Sequence, residues 1–179
     1  MRVYTQRDTE SFRKACSALV AAEANAGLLC AMPPLFAAPE KLVRSLTQQT
    51  GDETLLAAWR HELAMFRRNI KKQSLTLTLL DPAPAALSPE ILCPPAADGA
   101  ARVIPCTGEQ YALHIDRLRQ MERQYENLHL RFRSDVAGNT VLYVKEDTGV
   151  IMAKTDAPMS AFVFNDPRMI HAFWEYLMG

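Results

Sequence analysis

The sequence predicts an α/β fold of the α+β kind: a mixed β-sheet with helices packed on it, a C-terminal antiparallel meander and a terminal helix. Three observations predict it. Stretches of helical apolar spacing alternate with short strand-like runs in the first half of the chain. Strand-like runs follow one another without helices from residue 128 to residue 164. One further amphipathic stretch closes the chain.

Val3-Tyr4 reads as a short first strand. A helix follows from Asp8, its cap, to Ala26, with Phe12, Cys16, Leu19 and Val20 on one face and Gly27 at the C′ position. Leu28 to Met32 is a continuous apolar run, as in a strand covered on both faces, and Pro33-Pro34 stops it. Pro39 opens a short helix to about Thr47. Thr50-Gly51-Asp52-Glu53 fits a capping box, and Leu55, Trp59, Leu63, Phe66 and Ile70 make the stripe of the helix behind it. Arg67, Arg68, Lys71 and Lys72 crowd its end, where positive charge complements the helix dipole. Ser74 to Leu80 reads as a strand, in which Leu75, Leu77 and Leu79 alternate with Thr76 and Thr78 with a period of two.

Residues 81–106 hold six of the eleven prolines and read as an irregular connection, with at most one helical turn at Ser88-Pro89-Glu90. Thr107 to Gln110 is a second capping box, and the next helix carries Tyr111, Ile115, Leu118, Met121 and Tyr125 inward. The β run then comprises Leu128–Arg133, a turn at Ala137-Gly138-Asn139, Val141–Lys145, a turn at Asp147-Thr148-Gly149, Val150–Ala153 and Ala161–Phe164. Asp166-Pro167 opens the last helix, with Ile170, Phe173, Trp174 and Leu177 inward. No internal repeat is present, and the 179 residues read as a single domain, 1–179.

Composition narrows the function. Twenty basic residues balance twenty acidic ones, so a dedicated nucleic-acid-binding surface is not expected of this segment. Residues 1–80 hold eleven basic against seven acidic residues, and 81–179 hold nine against thirteen. The apolar stretch Gly27–Pro39 is 13 residues long, short of the ~20 a spanning helix needs. Met1–Thr5 has no apolar h-region, so a secretory leader is not expected and the expected address is cytoplasmic. Cys16, Cys30, Cys93 and Cys106 are expected as free thiols there.

None of the seven glycines forms a dinucleotide fingerprint or a phosphate loop, and there is no Gly-x-Ser-x-Gly elbow. No Cys-x-x-Cys pair exists, so neither metal nor cofactor is expected. His61-Glu62 begins like a zinc-protease motif, but Met65 stands where the second ligand belongs, and both residues read as solvated. Cys106 precedes a helix N-terminus, which can activate a thiol, yet no His or Asp accompanies it at a recognisable spacing. The one basic constellation is on the strand 128–133. His129, Arg131 and Arg133 share a face at about 7 Å spacing, with Lys145 and Lys154 expected on neighbouring strands. Mutual repulsion there would be relieved by an anion, which two guanidinium forks could grip; otherwise this is a water-facing sheet surface.

Thr107–Ile115, Tyr125–Leu128, Val144–Ile151 and Phe173–Leu177 together resemble the effector region that follows a helix-turn-helix in uncharacterised bacterial transcriptional regulators. Those regions in turn look like a phospholipase-D-like half domain without its active site. That signature has a His, a Lys two residues on and an Asp five beyond. Here His129 is followed by Arg131, the fifth position beyond is Val136, and Asp135 is out of register, so no catalytic residue carries over. The resemblance implies a non-enzymatic sensor or effector module, a homodimer, binding a small anionic ligand or a protein partner. The other readings are a divergent phosphodiester hydrolase and a protein–protein interaction domain.

Overall fold

The computed structural model describes residues 1–5, 9–81, 90–93, 102–135, 140–154 and 160–179. Its elements are β1 (Arg2–Thr5), α1 (Thr9–Ala21), β2 (Ala26–Cys30), a 3-10 turn (Leu35–Ala37), α2 (Glu40–Thr50), α3 (Thr54–Asn69) and β3 (Leu75–Leu80). There follow β4 (Glu90–Cys93), β5 (Arg102–Pro105), α4 (Gly108–Gln124), β6 (Leu128–Arg133), β7 (Thr140–Lys145), β8 (Gly149–Lys154), β9 (Ser160–Phe164) and α5 (Pro167–Met178).

Seven strands form one mixed sheet in the order β1-β9-β8-β7-β2-β3-β6, while β4 and β5 pair separately as an antiparallel hairpin. β2, β3 and β6 run parallel, and β7, β8, β9 and β1 continue from β2 antiparallel. This is the expected α/β architecture with a mixed sheet. The meander starts at β7 rather than at β6. β2 and β3 separate those two strands, so β6 and β7 do not pair. The expected Ala137–Asn139 turn, the Ser88-Pro89 turn and the Asp8 cap lie outside the described residues.

Alternation along β2 divides the core. Cys30 packs with Phe66 and Ile70 of α3, Ile115, Leu118 and Met121 of α4, and Leu77 and Leu79 of β3, with Leu28 against the same cluster. Leu29 points the other way, to Ile170 and Leu177 of α5, with Leu142, Val144 and Phe164. α1 extends the first face over β8, β9 and β1 through Phe12, Leu19, Ile151 and Ala161. A further cluster joins α2, α3 and β5 through Leu42, Leu46, Leu55, Trp59 and Ile104. The apolar run in β2 is thus covered on both faces. So is β3: Thr76 and Thr78 are buried, not on an open polar face.

Helix boundaries differ from expectation for local reasons. α1 stops at Ala21, and Gly27 belongs to β2 instead of terminating the helix. A Cβ at Gly27 would lie 2.8 Å from Leu177 Cδ1, so the glycine lets α5 approach the sheet. Thr50 is the last residue of α2, not a cap, and Gly51 ends that helix at φ 68°. Asp52 serves the start of α3, its Oδ1 accepting from Thr54 N at 3.0 Å. The box at Thr107 and Gln110 and the Asp166 cap of α5 form as expected. The 81–106 connection contains β4 and β5, a hairpin that its prolines concealed.

Trp59 and Phe66 are buried as expected, whereas Phe173 and Trp174 are half-buried. Phe66 stacks on Phe36 at 4.9 Å and meets Tyr125 edge-on at 5.3 Å, so it joins three elements. Phe66→Ala should cost about 3–5 kcal/mol in urea unfolding. Phe173→Ala, with water already on one side, should cost clearly less, about 1–3 kcal/mol. Equal losses would mean that α5 is packed as deeply as α3.

Candidate functional site

The basic face of β6 is not an open cradle. β6 is an edge strand, and His129, Arg131 and Arg133 lie on the α5 side of the sheet. Arg131 donates from Nη1 to the carbonyls of Met178 (3.0 Å) and Leu177 (3.5 Å) in the last turn of α5. A guanidinium there meets the negative end of the helix dipole. Arg133 is gripped by Asp135 through Nε–Oδ1 at 2.9 Å and Nη2–Oδ2 at 2.6 Å, and lies 5.1 Å from the centre of the Tyr176 ring. The fork raises the Arg133 pKa and lowers that of Asp135, each chiefly through their shared hydrogen bonds. His129 is exposed at the start of the strand. The expected repulsion is therefore largely answered inside the protein, by one carboxylate and one helix end.

The two lysines do not join this face, and their placement corrects the expected five-residue cluster. Lys145 on β7 has two strands between it and β6, and its side chain turns to the α1 side. It is 1% exposed, and its Nζ donates to Ala22 O at 2.8 Å, Ala24 O at 2.9 Å and Gln73 Oε1 at 3.1 Å. All three ammonium donors are thus used. Burial lowers its pKa, and its work is to bind the carbonyls that follow α1. Lys154 is exposed at the end of β8, with β7, β2 and β3 between it and β6, about 19 Å across the sheet.

Two titratable residues sit where they were not expected. Glu62 is half-buried instead of solvated, and desolvation pushes its carboxyl up to about 7. His114 is fully buried, with Nε2 3.0 Å from Pro34 O, and burial pulls its pKa down to about 4. A carbonyl only accepts, so Nε2 carries the hydrogen and Nδ1 is left a bare acceptor without a partner among the described residues. A signal for His114 was present: it stands three residues after Tyr111 and four before Leu118, on the inward stripe. Glu62 flanks that of α3, three after Trp59 and four before Phe66. Glu122 also had a role not foreseen, accepting from the backbone amide of Leu130 at 2.7 Å on the outer edge of β6.

Among the described residues no three of His, Cys, Asp and Glu converge as metal ligands, and no helix is long and apolar enough to cross a membrane. Cys16, Cys30 and Cys106 form no disulfide among the described residues, and burial raises Cys16 and Cys30 to about 12, far from reactive thiolates.

Glu62 and His114 give opposite pH dependences. The folded carboxyl lies above its ordinary value, so its cost to stability is absent at low pH and grows as pH rises from 4.5 through about 7. The folded imidazole lies below its ordinary value, so stability is full above 6.5 and is lost as pH falls towards about 4. Glu62→Gln should therefore raise stability at pH 8 by about 1–2 kcal/mol, discounted for its partial exposure, and leave it unchanged near pH 4. Urea unfolding at the two pH values checks this; a gain equal at both would trace to packing.

Compared with protein-family models, with curated proteins and with solved structures, the chain matches none of them.

Proposed function

We propose that this chain is a non-enzymatic sensor or effector module of a bacterial transcriptional regulator, acting as a dimer and responding to an anion at the β6 edge. The observation that carries the reading is the Arg131 contact. An exposed guanidinium on an edge strand holds the last carbonyls of α5, a bond between a charge and neutral dipoles. A phosphate or carboxylate is a better acceptor for that fork than two carbonyls. An anionic ligand, or an acidic side chain of a protein partner, would draw Arg131 away and free the end of α5. His129 lies one pleat along the same face and adds a second donor. Binding would thus be converted into a displacement of the terminal helix, as an effector module requires. Arg133 is the weaker candidate, since Asp135 already occupies its fork.

Thermal shift against a panel of phosphate- and carboxylate-bearing metabolites tests this, with sodium chloride at matched ionic strength as control. An anion that binds the folded state raises its Tm by mass action. Arg131→Ala should abolish that rise. In the empty protein the substitution should lower stability by about 0.5–1 kcal/mol, because a helix-end contact is lost. A rise that survives in Arg131→Ala, or no rise with any anion, would sink the reading.

A further inference from the structure

The segment between β2 and α2 is docked at three points. Pro33, Pro34, Leu35, Ala37 and Ala38 are buried, in a segment built from a bridge at Pro34 and the single 3-10 turn Leu35–Ala37. Pro34 O receives the His114 Nε2–H at 3.0 Å. Phe36 stacks on Phe66 at 4.9 Å. Ala38 O receives the Trp59 indole N–H at 3.0 Å. The first contact is the one that titrates.

We propose that His114 is an acid-sensitive latch, which on taking up a proton releases the Pro33–Ala38 segment from α4 while the central sheet stays folded. The reason is geometric. The ring has 0% exposure and makes one hydrogen bond, and its Nδ1 faces no partner among the described residues. A second proton would create a buried cation with an unsatisfied donor, a state far costlier than the neutral ring. Moving the proline segment aside admits water to Nδ1. The ladders of β2 with β3 and β7 end at Cys30 and need not break for that, whereas the isolated bridge at Pro34 would open with the segment.

The groups around the ring leave this proton uncompensated. The 3-10 turn carries no titratable residue. On α4, Tyr111 lies one turn earlier and half-buried Arg117 three residues later. The Cys30 and Cys106 thiols act on the Tyr111 hydroxyl, which desolvation already raises, so neither it nor Cys30 is charged near neutral pH. α3 brings Glu62, and α2 brings exposed Lys41 and the Glu40–Arg44 pair at 2.6 Å. β4, packed on the 3-10 turn, has Glu90 and Cys93 in its sequence. Burial and the Pro34 carbonyl are the influences that set the imidazole, the first lowering and the second raising its pKa.

The test uses Trp174→Phe, which leaves Trp59 as the remaining one of the two tryptophans and a reporter of the Ala38 contact. Trp59 emission and amide exchange of residues 35–38 are followed from about pH 7.5 to 4. Exchange, corrected for its intrinsic pH dependence, should rise about tenfold per pH unit below ~6.5, as linkage to one proton demands. Trp59 emission should move to the red while exchange in β2 and β7 stays slow. His114→Gln keeps a neutral donor for Pro34 O and should hold the segment closed throughout. Should that variant not fold, ring-proton NMR of the His114 imidazole replaces it, and its midpoint must coincide with the opening. Opening that persists in His114→Gln, a mismatch of midpoints, loss of the segment together with β2 and β7, or no opening down to about pH 4 would each overturn the latch.

Discussion

The close approach of α5 to β2 is the constraint on which the arrangement depends. β2 sits where the parallel and antiparallel halves of the sheet meet, between β3 and β7. Its side chains are apolar on both faces, so both faces need cover. α3 and α4 supply one side, and among the described elements α5 supplies the other across β2, β7 and β8. Gly27 makes that possible, because a Cβ would already touch Leu177 and Met178. The C-terminal turn of α5 is thereby brought over the sheet within reach of β6, and Arg131 completes it. A basic residue that reads as a ligand group on the strand is, in the folded chain, also bound to the C-terminal carbonyls of a helix, 46 and 47 residues later.

Loop ends at the starts of β2, β3 and β6 and the end of β7 are tied by side chains rather than by further secondary structure. Asn25 accepts from Ser74 N and donates to Glu146, Asn69 donates to Val20 O, and Asn127 donates to Ile70 O. Lys145 adds three bonds to the same region. These groups meet the carbonyls and amides that α1, α3 and their following turns leave without internal partners. A charge in such a place is retained by its hydrogen bonds; removing its partners would strand it. That distinguishes Lys145 from His114, which has one partner among the described residues for two ring nitrogens and is therefore the group that gives way to a proton.

Periodicity made most of the architecture legible. Five helices and the strand run were placed because each buries a continuous stripe or an alternating face, and Thr107 and Asp166 marked two helix starts by their side-chain chemistry. What failed was long-range. Whether β6 neighbours β7 or β3 cannot be read from local spacing, since either placement buries Leu128 and Leu130 equally well, and the expected five-residue cluster depended on that choice. Alternation of threonine with leucine on β3 marks the strand but not a wet face, since threonine tolerates burial. Lys145 shows the limit for site residues. Its sequence position says that it ends a strand; only the fold says that three acceptors converge on it.

The outer edge of β6 bears on how any partner could approach. The amides of Leu75 and Asp81 donate to the carbonyls of Asn127 and Arg133, so odd-numbered residues of this strand face β3 and even-numbered ones face outward. Of the outward amides, Leu128 donates to Tyr125 O at 3.0 Å and Leu130 to Glu122 Oε1 at 2.7 Å. The first half of the edge is therefore occupied by α4 and its following turn, and a carboxylate stands where an incoming strand would place its carbonyl. Charged side chains in such positions discourage strand addition. The same strand presents His129 and Arg131 perpendicular to that edge, on the face beside the end of α5. Contact through side chains is thus favoured over extension of the sheet, and an acidic or anionic group reaching this strand meets the two exposed basic side chains before it meets backbone.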